Sequence, residues 1–301
     1  RTPLSAARMS GAGQALSYLP PYDHEALIKF LAQRAVPGLE LCTDPAFDFA
    51  RIVRFSDGTH SHLGWVTLRF DAPHHRVHVG WSDGLLPVLA PLMQQVRWAL
   101  DLDANPSLIE PVLAKDFSHC TGWRVPGTWD GFELAVRAVL GQQITVAAAK
   151  TLTQRLVHAL GEPITTPWPA LSHAFPTPAA LASVDDEILG QLGIVRQRQK
   201  AIKALAQAVL DGRLNLSPGC DLQATLANLL ALHGIGEWTA QYIAMRALRW
   251  PDAFPSGDVV LQQRLGVRGG PQPARAALAL SQVWQPWRSY AVIRLWHGHE
   301  A

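Results

Sequence analysis

Hydrophobic and polar positions alternate near the N-terminus of the chain. Apolar side chains occupy every second position over residues 66–70 and again over residues 77–81. Such alternation is typical of strands with one buried face. Upstream, Asp23 can cap a helix whose apolar positions, Leu27, Phe30 and Leu31, follow helical spacing. With a further helix over about 87–100, residues 18–105 are predicted to form a small α+β domain.

The period of the pattern changes to that of a helix beyond residue 130. Apolar stripes, capping residues and Gly or Pro stop signals predict helices after Asp130 and over 145–160, 179–192, 196–210, 222–232, 237–249, 259–265, 274–283 and 288–297. No strand pattern of any length follows, so residues 106–301 are predicted to be an all-α domain. Residues 1–17 are small and polar and predict a flexible lead-in.

The composition excludes several classes of protein. A hydrophobic content of 48% argues against a disordered chain, and no apolar run reaches the ~18–20 residues of a transmembrane helix. The N-terminus has no continuous apolar segment that would make it a secretory signal. Three cysteines without CxxC spacing cannot form a four-thiolate zinc or iron–sulfur site. An odd number of unpaired thiols suits a reducing cytoplasm.

The net charge of +2 is unevenly distributed. Residues 1–130 carry −2 and residues 131–301 carry +4, and Arg outnumbers Lys by 21 to 5. Arginine suits phosphate contacts, so a polyanion partner is one interpretation of the helical part. An ordinary solvated surface is the simpler one. The basic run Arg196, Arg198, Lys200 and Lys203 has the same two interpretations, a solvated helix face or a contact with backbone phosphates.

The sharpest local signal is His233-Gly234-Ile235-Gly236, which separates two predicted helices. Its glycines tolerate positive φ and leave backbone N–H groups uncovered at a helix N-terminus, where the helix dipole also favours an anion. The small Thr239 permits close helix packing. The segment therefore predicts a phosphate-binding hairpin, with a simple corner between two helices as the alternative.

Asp258 begins a helix 22 positions after Gly236. A structural N-cap is the simpler interpretation, but a helix N-terminus also stabilises the negative charge that an electrostatic or general-base catalyst needs. Between the two, Trp238, Tyr242 and Met245 follow the spacing of one helix face. That stripe is either core or the wall of a recognition pocket near the carboxylate.

Together these features resemble the helix-hairpin-helix DNA glycosylases with a Gly/Pro-rich loop and a catalytic Asp. The alkylation-repair branch, DNA-3-methyladenine glycosylase II (AlkA-like), is the more similar one over residues 18–297. The segments that carry the resemblance are 20–23, 132–142, 175–178 and 284–291. The resemblance implies an α+β fold: a small N-terminal antiparallel sheet domain with helices, then an all-α catalytic domain of two lobes. DNA and the base pocket are expected between those lobes.

The resemblance also implies roles for individual residues. Asp258 falls on the catalytic carboxylate, which stabilises an oxocarbenium-like sugar or activates water. The expected base pocket consists of Trp238, Tyr242, Trp296 and Phe30, and the expected contacts with the DNA backbone are His233, Gly234, Ile235, Gly236 and Thr239. Gln143, with Gln142 beside it, falls on the residue that fills the vacated base stack, where the branch has an apolar wedge. Val259 stands where similar proteins have Tyr, so that side of the pocket is less aromatic.

The implied activity is that of a monofunctional DNA glycosylase in base excision repair. It would flip alkylated purines, of the 3-methyladenine and 7-methylguanine types, out of double-stranded DNA and hydrolyse their N-glycosidic bonds. Trp238 replaces the Lys of the lyase branches, so no strand cleavage is expected. Two alternatives remain: a glycosylase for deaminated or oxidised bases, and a non-catalytic DNA-binding module.

Expectations also follow for the oligomeric state, the cellular location and the cofactors of the protein. The protein is predicted to be a monomer in the bacterial cytoplasm, associated with the nucleoid and not with a membrane. No cofactor is expected, although the family allows a monovalent or divalent cation at the hairpin backbone. The histidines at positions 60, 62, 74, 75 and 78 have no paired acid at the spacing of metal ligands, and they are predicted to form a solvated edge without a metal.

Overall fold

The computed structural model describes residues 13–56 and 58–297. The strands are β1 (Gln14–Ser17), β2 (Glu40–Asp44), β3 (Phe47–Ser56), β4 (Ser61–Asp71) and β5 (Arg76–Trp81). The helices of the N-terminal part are α1 (His24–Arg34) and α2 (Leu89–Ala99). The later helices are α3 (Pro106–Phe117), α4 (Gly131–Leu140), α5 (Val146–Leu160), α6 (Pro178–Ser183), α7 (Asp186–Gln191), α8 (Arg196–Leu210), α9 (Leu222–Leu230), α10 (Glu237–Arg246), α11 (Val259–Arg264), α12 (Pro273–Leu280) and α13 (Arg288–His297).

The five strands form one antiparallel sheet in the order β1-β5-β4-β3-β2. In β5 the side chains alternate as predicted, with Val77 and Val79 buried and His78 exposed between them. The buried face packs against α1 and α2 through residues such as Leu27 and Leu92. Asp23 caps α1 by accepting a hydrogen bond from the backbone N–H of Ala26 at 2.9 Å. The predicted α+β fold class is confirmed.

The predicted flexible lead-in over residues 1–17 is wrong for residues 14–17. They form β1, which pairs with β5 in the register Gln14↔Val79 to Ser17↔Arg76. Small and polar residues form a strand here because an existing strand edge supplies the hydrogen-bonding partners. Residues 1–12, the rest of that prediction, lie outside the described residues.

The helix predicted over residues 179–192 is two short helices, α6 and α7. Val184 and Asp185 between them have extended backbone, with ψ near 142° and 141°. Asp185 occupies the N-cap position at the start of α7, although its side chain makes no capping hydrogen bond there. Leu181 of α6 and Leu189 of α7 are both fully buried, so the two helices still contribute to one core.

The helical part and the sheet domain share a hydrophobic core. Leu39, Phe47 and Ile52 of the sheet domain belong to the same buried cluster as Val136 of α4 and Leu156 of α5. The predicted all-α character beyond the sheet is confirmed. Helix α3, which follows residue 105, packs against α13 in the C-terminal part. The domain boundary at residue 105 stays a prediction.

Four buried or half-buried charged side chains bridge the two parts. Arg51 of β3 donates to Glu40 at 2.9 Å and to Glu133 of α4 at 2.6 Å. Arg137 of α4 donates to Glu133 at 3.0 Å and to Glu40 at 3.2 Å. The Arg51, Glu40 and Glu133 side chains are at most 7% exposed. We call these four residues the junction network, in which two cations and two anions compensate each other.

No helix in the described part of the chain combines the length and the apolar character needed to cross a bilayer.

Candidate active site

The predicted hairpin connects α9 to α10. Gly234 has φ +79° and lies so close to α8 that an added Cβ would stand 2.8 Å from the Cβ of Ala201. Gly236 caps α10 with φ −98°, and nothing lies within 4 Å of where its Cβ would be. The two glycines therefore differ. Gly234 is required by its close packing against α8, whereas Gly236 faces open space at the surface.

The hairpin residues also differ in exposure. His233 and Gly236 are exposed and Gly234 is half-buried, so the backbone of the hairpin is accessible to a phosphate. Ile235 and Thr239 are buried or nearly so at the foot of the hairpin, with Ile235 5% and Thr239 2% exposed. Both side chains pack inward beneath the hairpin, which leaves the hairpin backbone as the part of these residues that could meet DNA, and their predicted role in binding the DNA backbone stays a prediction.

Asp258 accepts three hydrogen bonds at the N-terminus of α11. Its Oδ1 caps the helix by accepting from the backbone N–H of Leu261 at 2.9 Å. Trp238 Nε1 donates to Oδ2 at 2.8 Å, and Trp296 Nε1 donates to Oδ1 at 3.3 Å. All three donors are neutral, so these bonds hold the half-buried carboxylate in place without cancelling its charge.

The loop before Asp258 is fixed by its own hydrogen bonds. The backbone N–H of Asp258 donates to the carbonyl of Pro255 at 2.8 Å. Gln262 Nε2 donates to the carbonyl of Ser256 at 2.9 Å, and Gln241 Oε1 accepts from the backbone N–H of Phe254 at 3.1 Å. A catalytic group must be held rigidly to act, and these bonds anchor the loop to both α10 and α11.

An aromatic wall adjoins the carboxylate. Trp238 and Tyr242, four residues apart on α10, stack with ring centroids 5.2 Å apart and planes 11° from parallel. Trp296 of α13 lies near Tyr242 as well, with centroids 6.1 Å apart. The structure thus brings together Asp258 and three of the four residues predicted for the base pocket.

These residues line a cavity of about 330 Å³ between the helices. Side chains from α1, α4, α5, α10 and α13, with the start of α11, form its walls, among them Arg34, Leu134, Arg137, Ile144, Lys150, Val260 and Trp296. Of the three residues at this spacing on α10, Trp238 and Tyr242 line the cavity, whereas Met245 follows the core interpretation. It is 1% exposed in the core, and Arg246, four residues after Tyr242, takes the position on the cavity wall.

Phe30 does not line this cavity. It is 4% exposed and borders a neighbouring cavity of about 70 Å³. The guanidinium carbons of Arg34 and Arg246 lie 3.8 and 5.0 Å from its ring centroid. Because both arginines also line the larger cavity, they stand between it and the ring. The prediction that Phe30 forms part of the base pocket is wrong for the protein as it stands, and Phe30 supports the pocket arginines instead.

Sequence reasoning missed the cations of the cavity. Arg246 is 8% exposed and donates from Nε to the carbonyl of Pro126, from Nη2 to that of Gly127 and from Nη1 to Tyr242 Oη, at 2.9, 3.0 and 2.6 Å. Its position four residues after Tyr242 was the signal that would have placed it on the wall. Arg137 of the junction network lies on the same wall, as does Lys150.

These cations change the acidity of Tyr242. Burial alone would raise the pKa of its phenol, but Arg246, Arg34 and Arg137 outweigh burial and hold that pKa below its usual value. The phenol is therefore a stronger hydrogen-bond donor than an ordinary tyrosine.

The predicted plug residues behave differently from each other. Gln143 lies at the turn after α4, with a left-handed φ of +57° that is uncommon outside glycine, and it is exposed. Gln142 Nε2 donates to the carbonyl of Gly234 at 2.9 Å and to Thr239 Oγ1 at 3.0 Å. Arg198 of α8 donates to the backbone carbonyl of Gln142 at 2.5 Å. The prediction of Gln142 as a plug is wrong, because its side chain ties this turn to the hairpin.

The histidine-rich edge of the sheet contains a paired acid, although the spacing in the sequence indicated none. Asp71 accepts from His74 at 2.7 Å, from Arg76 at 2.8 Å and from His78 at 3.3 Å. These hydrogen bonds, the one from His74 foremost, lower the pKa of the Asp71 carboxyl. Among the described residues, no cluster of three or more His, Cys, Asp or Glu side chains could hold a metal ion.

Two family models match the chain. Residues 14–130 match the AlkA N-terminal domain, and residues 136–286 match the HhH-GPD superfamily of base excision DNA repair proteins. The second match contains the hairpin, Asp258, the stacked aromatic residues of α10 and the turn at Gln143.

Curated relatives resemble the chain over most of its length. It is 35% identical to "DNA-3-methyladenine glycosylase 2" of Escherichia coli over 94% of this chain and 96% of that protein. It is 39% identical to the "Probable bifunctional transcriptional activator/DNA repair enzyme AlkA" of Mycobacterium tuberculosis over 92% of this chain. The chain spans about half the length of that second relative, 55% of it.

Solved structures share the fold at lower sequence identity. A 3-methyladenine DNA-glycosylase from Archaeoglobus fulgidus superposes with a TM-score of 0.77 at 17% identity, covering 94% of this chain and 97% of that one. MBOgg1 in complex with a low affinity DNA ligand superposes with a TM-score of 0.75 at 17% identity, covering 97% of both chains. At such identities these likenesses describe the fold alone.

Proposed function

The chain belongs to the HhH-GPD superfamily of base excision DNA repair proteins, and from this premise we propose that it hydrolyses the N-glycosidic bond of alkylated purines in duplex DNA. The names of the Escherichia coli and Mycobacterium tuberculosis relatives support this activity. The observation that carries it is the Asp258 carboxylate, held by neutral donors beside an aromatic cavity. A module that only binds DNA needs neither of these features.

The cavity suits a flipped purine. Moving a base out of the duplex costs a few kcal/mol, and stacking on an aromatic side chain returns roughly 1–3 kcal/mol per base. The rings of Trp238, Tyr242 and Trp296 offer that stacking in one place. An alkylated purine is electron-poor and often cationic, so electron-rich rings bind it well.

Asp258 acts on the sugar. As the bond between C1′ and the base breaks, positive charge develops on the sugar, and a fixed carboxylate stabilises that charge. The three neutral donors orient the carboxylate without cancelling its charge. Removing one such electrostatic group from an active site typically lowers the rate by about 10²–10³-fold.

The test is release of free base from methylated duplex DNA. The protein is expected to release 3-methyladenine and 7-methylguanine in a single-turnover assay, and Asp258→Asn is expected to bind the same DNA and release base about 10²–10³-fold more slowly. Asparagine is also a favoured N-cap residue, so the substituted amide should still cap α11 and thermal stability should change little. Normal base release by this variant would overturn the assigned role of Asp258.

The hairpin glycines provide a matched test of DNA binding. Gly236→Ala adds a methyl group where the protein has open space, so stability should remain while DNA affinity falls because the backbone of DNA can no longer approach closely. Gly234→Ala is the control, since its Cβ would collide with Ala201 and should lower thermal stability first. Unchanged DNA affinity in Gly236→Ala would remove the hairpin from the DNA interface.

Gln143 is the proposed plug for the vacated base stack. Gln143 is exposed at the turn, whereas the side chain of the neighbouring Gln142 is already bonded to the hairpin. Gln143→Ala should slow base release without destabilising the protein, and Gln142→Ala should lower thermal stability. The reverse pattern would assign the plug to Gln142.

We also propose that the enzyme is monofunctional. A lyase needs an amine to form a Schiff base with C1′, and the family position of that amine is Trp238 here. The lysine on the cavity wall is Lys150 of α5. Incubation with borohydride should therefore trap no covalent DNA adduct, and strands should stay intact without added alkali. An adduct that disappears in Lys150→Ala would show that Lys150 acts as a lyase amine.

The remaining proposals concern the oligomeric state and location of the enzyme and a cation at its hairpin. We propose a monomer that acts on double-stranded DNA in the cytoplasm, in association with the nucleoid. A cation at the hairpin backbone stays a prediction. The carbonyls of Leu232, Gly234 and Gly236 already accept hydrogen bonds, and each has a second lone pair that fits a weakly held ion. DNA affinity measured in sodium, potassium and chelator would test for it.

A further inference from the structure

The two halves of the outer face of the sheet have different surroundings. On β3, Ala50 and Ile52 are buried in the core that the sheet shares with the helical part. The register places Thr67 and Trp65 of β4 opposite them, so these four residues share one face. Helices α1 and α2 pack on the other face, where Val66 lies. The β4 and β5 half of the outer face therefore borders a cavity and not the core between the two parts.

This second cavity has a volume of about 300 Å³ and is separate from the one beside Asp258. Trp65, Thr67 and Arg69 of β4 line it, together with His78 and Gly80 of β5. Ligand cavities in proteins begin at about this size and combine apolar walls with a few polar groups. In the described part of the chain, no Asp or Glu lines it. Its composition therefore suits a ligand that carries negative charge.

The strand register gives the cavity two different ends. Trp65, Thr67 and Arg69 alternate along β4, and side chains on one face of a strand repeat about every 7 Å, which separates the first from the third by roughly 13 Å. Arg69 lies opposite His78, and Thr67 lies opposite Gly80, which has no side chain. The cavity thus has an aromatic end, a low floor in the middle and a cationic end.

The aromatic end is held in place by a loop of the helical part. Trp168, between α5 and α6, meets Trp65 edge to face, with ring centroids 5.1 Å apart and planes at 86°. It meets Phe47 in the same way, at 5.0 Å and 89°. Trp65 nevertheless stays half-buried and not buried, so part of its indole is accessible from the cavity. A fixed, partly accessible indole offers a flat apolar surface for a ring.

The polar groups of the cavity differ in how they are already used. His78 donates or accepts at 3.3 Å with Asp71, which also accepts from Arg76 at 2.8 Å. Arg69 is exposed, and over residues 13–56 and 58–297 its guanidinium makes no hydrogen bond or ion pair. The Thr67 hydroxyl likewise has no hydrogen-bonding partner among the described residues. The positive charge of Arg69 is therefore available to a ligand, and a guanidinium matches a phosphate well.

We propose that this cavity binds a nucleotide, with its base against Trp65 and its phosphate at Arg69. The chemistry that it recognises is a planar base joined to a phosphate, either free or within single-stranded DNA. Stacking on an aromatic side chain tolerates any base, since every base has a π face, and a cationic group that follows the backbone completes such sites. The proposal does not depend on the glycosylase function, because neither residue lines the cavity beside Asp258.

The test is calorimetric titration of the whole chain with thymidine 5′-monophosphate and with a single-stranded thymidylate tetramer. Both should bind the wild type, and Arg69→Gln should weaken both at least about 10-fold, the effect of losing a hydrogen bond to a charged group. Thymidine, which lacks the phosphate, should bind the wild type and Arg69→Gln equally. A wild type that binds neither phosphorylated probe, or an Arg69→Gln variant that binds them normally, would overturn the proposal.

The two probes also distinguish the sources of the nucleotide. A tetramer that binds at least about 10-fold more tightly than the monophosphate would identify single-stranded DNA as the ligand, because neighbouring nucleotides add contacts along the sheet. Equal affinities would identify a free nucleotide. Either result supports the shared chemistry, provided that Arg69→Gln weakens the binding.

Three further variants place the ligand in this cavity. Trp65→Ala should weaken binding about 5- to 150-fold through lost stacking, and if it unfolds the protein, Arg69→Gln decides, since that side chain is exposed and has no partner to lose. Arg275→Gln, on the exposed surface of α12, is the matched control and should leave binding unchanged. Trp238→Ala should also leave it unchanged. Binding that is lost in Trp238→Ala and kept in Arg69→Gln would place the nucleotide beside Asp258 and overturn the proposal.

Discussion

Asp258 and the junction network are two ways of keeping carboxylates inside one protein. In the junction network, Glu40 and Glu133 each contact two arginines at 2.6–3.4 Å, so every charge has an opposite charge beside it. Asp258 is bonded instead to two indole N–H groups and one backbone N–H. The first arrangement cancels the electric field of the carboxylates, whereas the second leaves that field available to a substrate.

This difference teaches that the donors around a carboxylate identify its role better than its burial does. Glu133 is more deeply buried than Asp258, and yet it is the structural group. Variants of Arg51 and Glu133, the network residues that do not line the cavity, should therefore change stability and leave base release intact, and variants around Asp258 should do the reverse.

The largest expected effect is the loss of stability in Arg51→Met. Arg51→Met leaves two buried carboxylates with Arg137 as their remaining cation, and breaking a buried ion pair in this way typically costs about 3–5 kcal/mol of the free energy of unfolding. Urea unfolding measures this loss. The double variant Arg51→Met with Glu133→Gln should recover part of it, since one uncompensated charge is removed too. A loss below about 1 kcal/mol would contradict the structural role of the network.

The next effect is a dependence of stability on pH. Burial alone would raise the pKa of Glu133, but Arg51 and Arg137 outweigh it and lower that pKa in the folded state. A lowered carboxyl pKa stabilises the fold above the unfolded pKa, and the stabilisation is lost as the pH falls through the folded pKa. The stability difference between wild type and Glu133→Gln should therefore be full at about pH 7 and shrink below about pH 4. A difference that grows on acidification would contradict this sign.

Trp238→Phe should produce a smaller effect, and on catalysis instead of stability. It keeps an aromatic ring against Tyr242 and removes the 2.8 Å hydrogen bond to Asp258. A hydrogen bond to a charged group contributes roughly 1.5–3 kcal/mol, so single-turnover base release should slow by about 10- to 100-fold. Unfolding in urea should change little. If stability falls and base release does not, Trp238 belongs with the structural group.

The smallest effect is expected for Trp296→Phe. Its indole N–H donor lies 3.3 Å from Asp258 Oδ1, longer than the 2.8 Å bond from Trp238, so it should contribute less. Base release should slow by less than in Trp238→Phe in the same assay. An effect larger than that of Trp238→Phe would mean that stacking by Trp296 matters more than orientation of the carboxylate.

The parts of the site that the sequence predicted are those with local causes. The hairpin glycines, the helix that Asp258 caps and the spacing of Trp238 and Tyr242 each depend on a few neighbouring residues. Elements with one buried face, such as β5, were also predictable from alternation. In each case the responsible interaction lies within a turn or two of chain.

The parts that it could not predict depend on distant packing. The strand β3 is nearly continuously buried, because the sheet shares its core with the helical part as well as with α1 and α2, so its alternation disappears. Gln142 is bonded to a carbonyl 92 positions away, and Phe30 lies behind arginines from α1 and α10. α3 contains Pro111 in its interior, a residue that argues against a helix in a sequence.

Arg137 belongs both to the junction network and to the wall of the base cavity. A charge shared by two sites makes them thermodynamically linked, and such coupling is reciprocal. A bound base that changes the interactions of Arg137 must change the affinity of the sheet domain for the helical part by the same factor. Because Glu40 of β2 accepts hydrogen bonds from Arg137, the N-terminal domain is connected to the cavity wall through a single guanidinium.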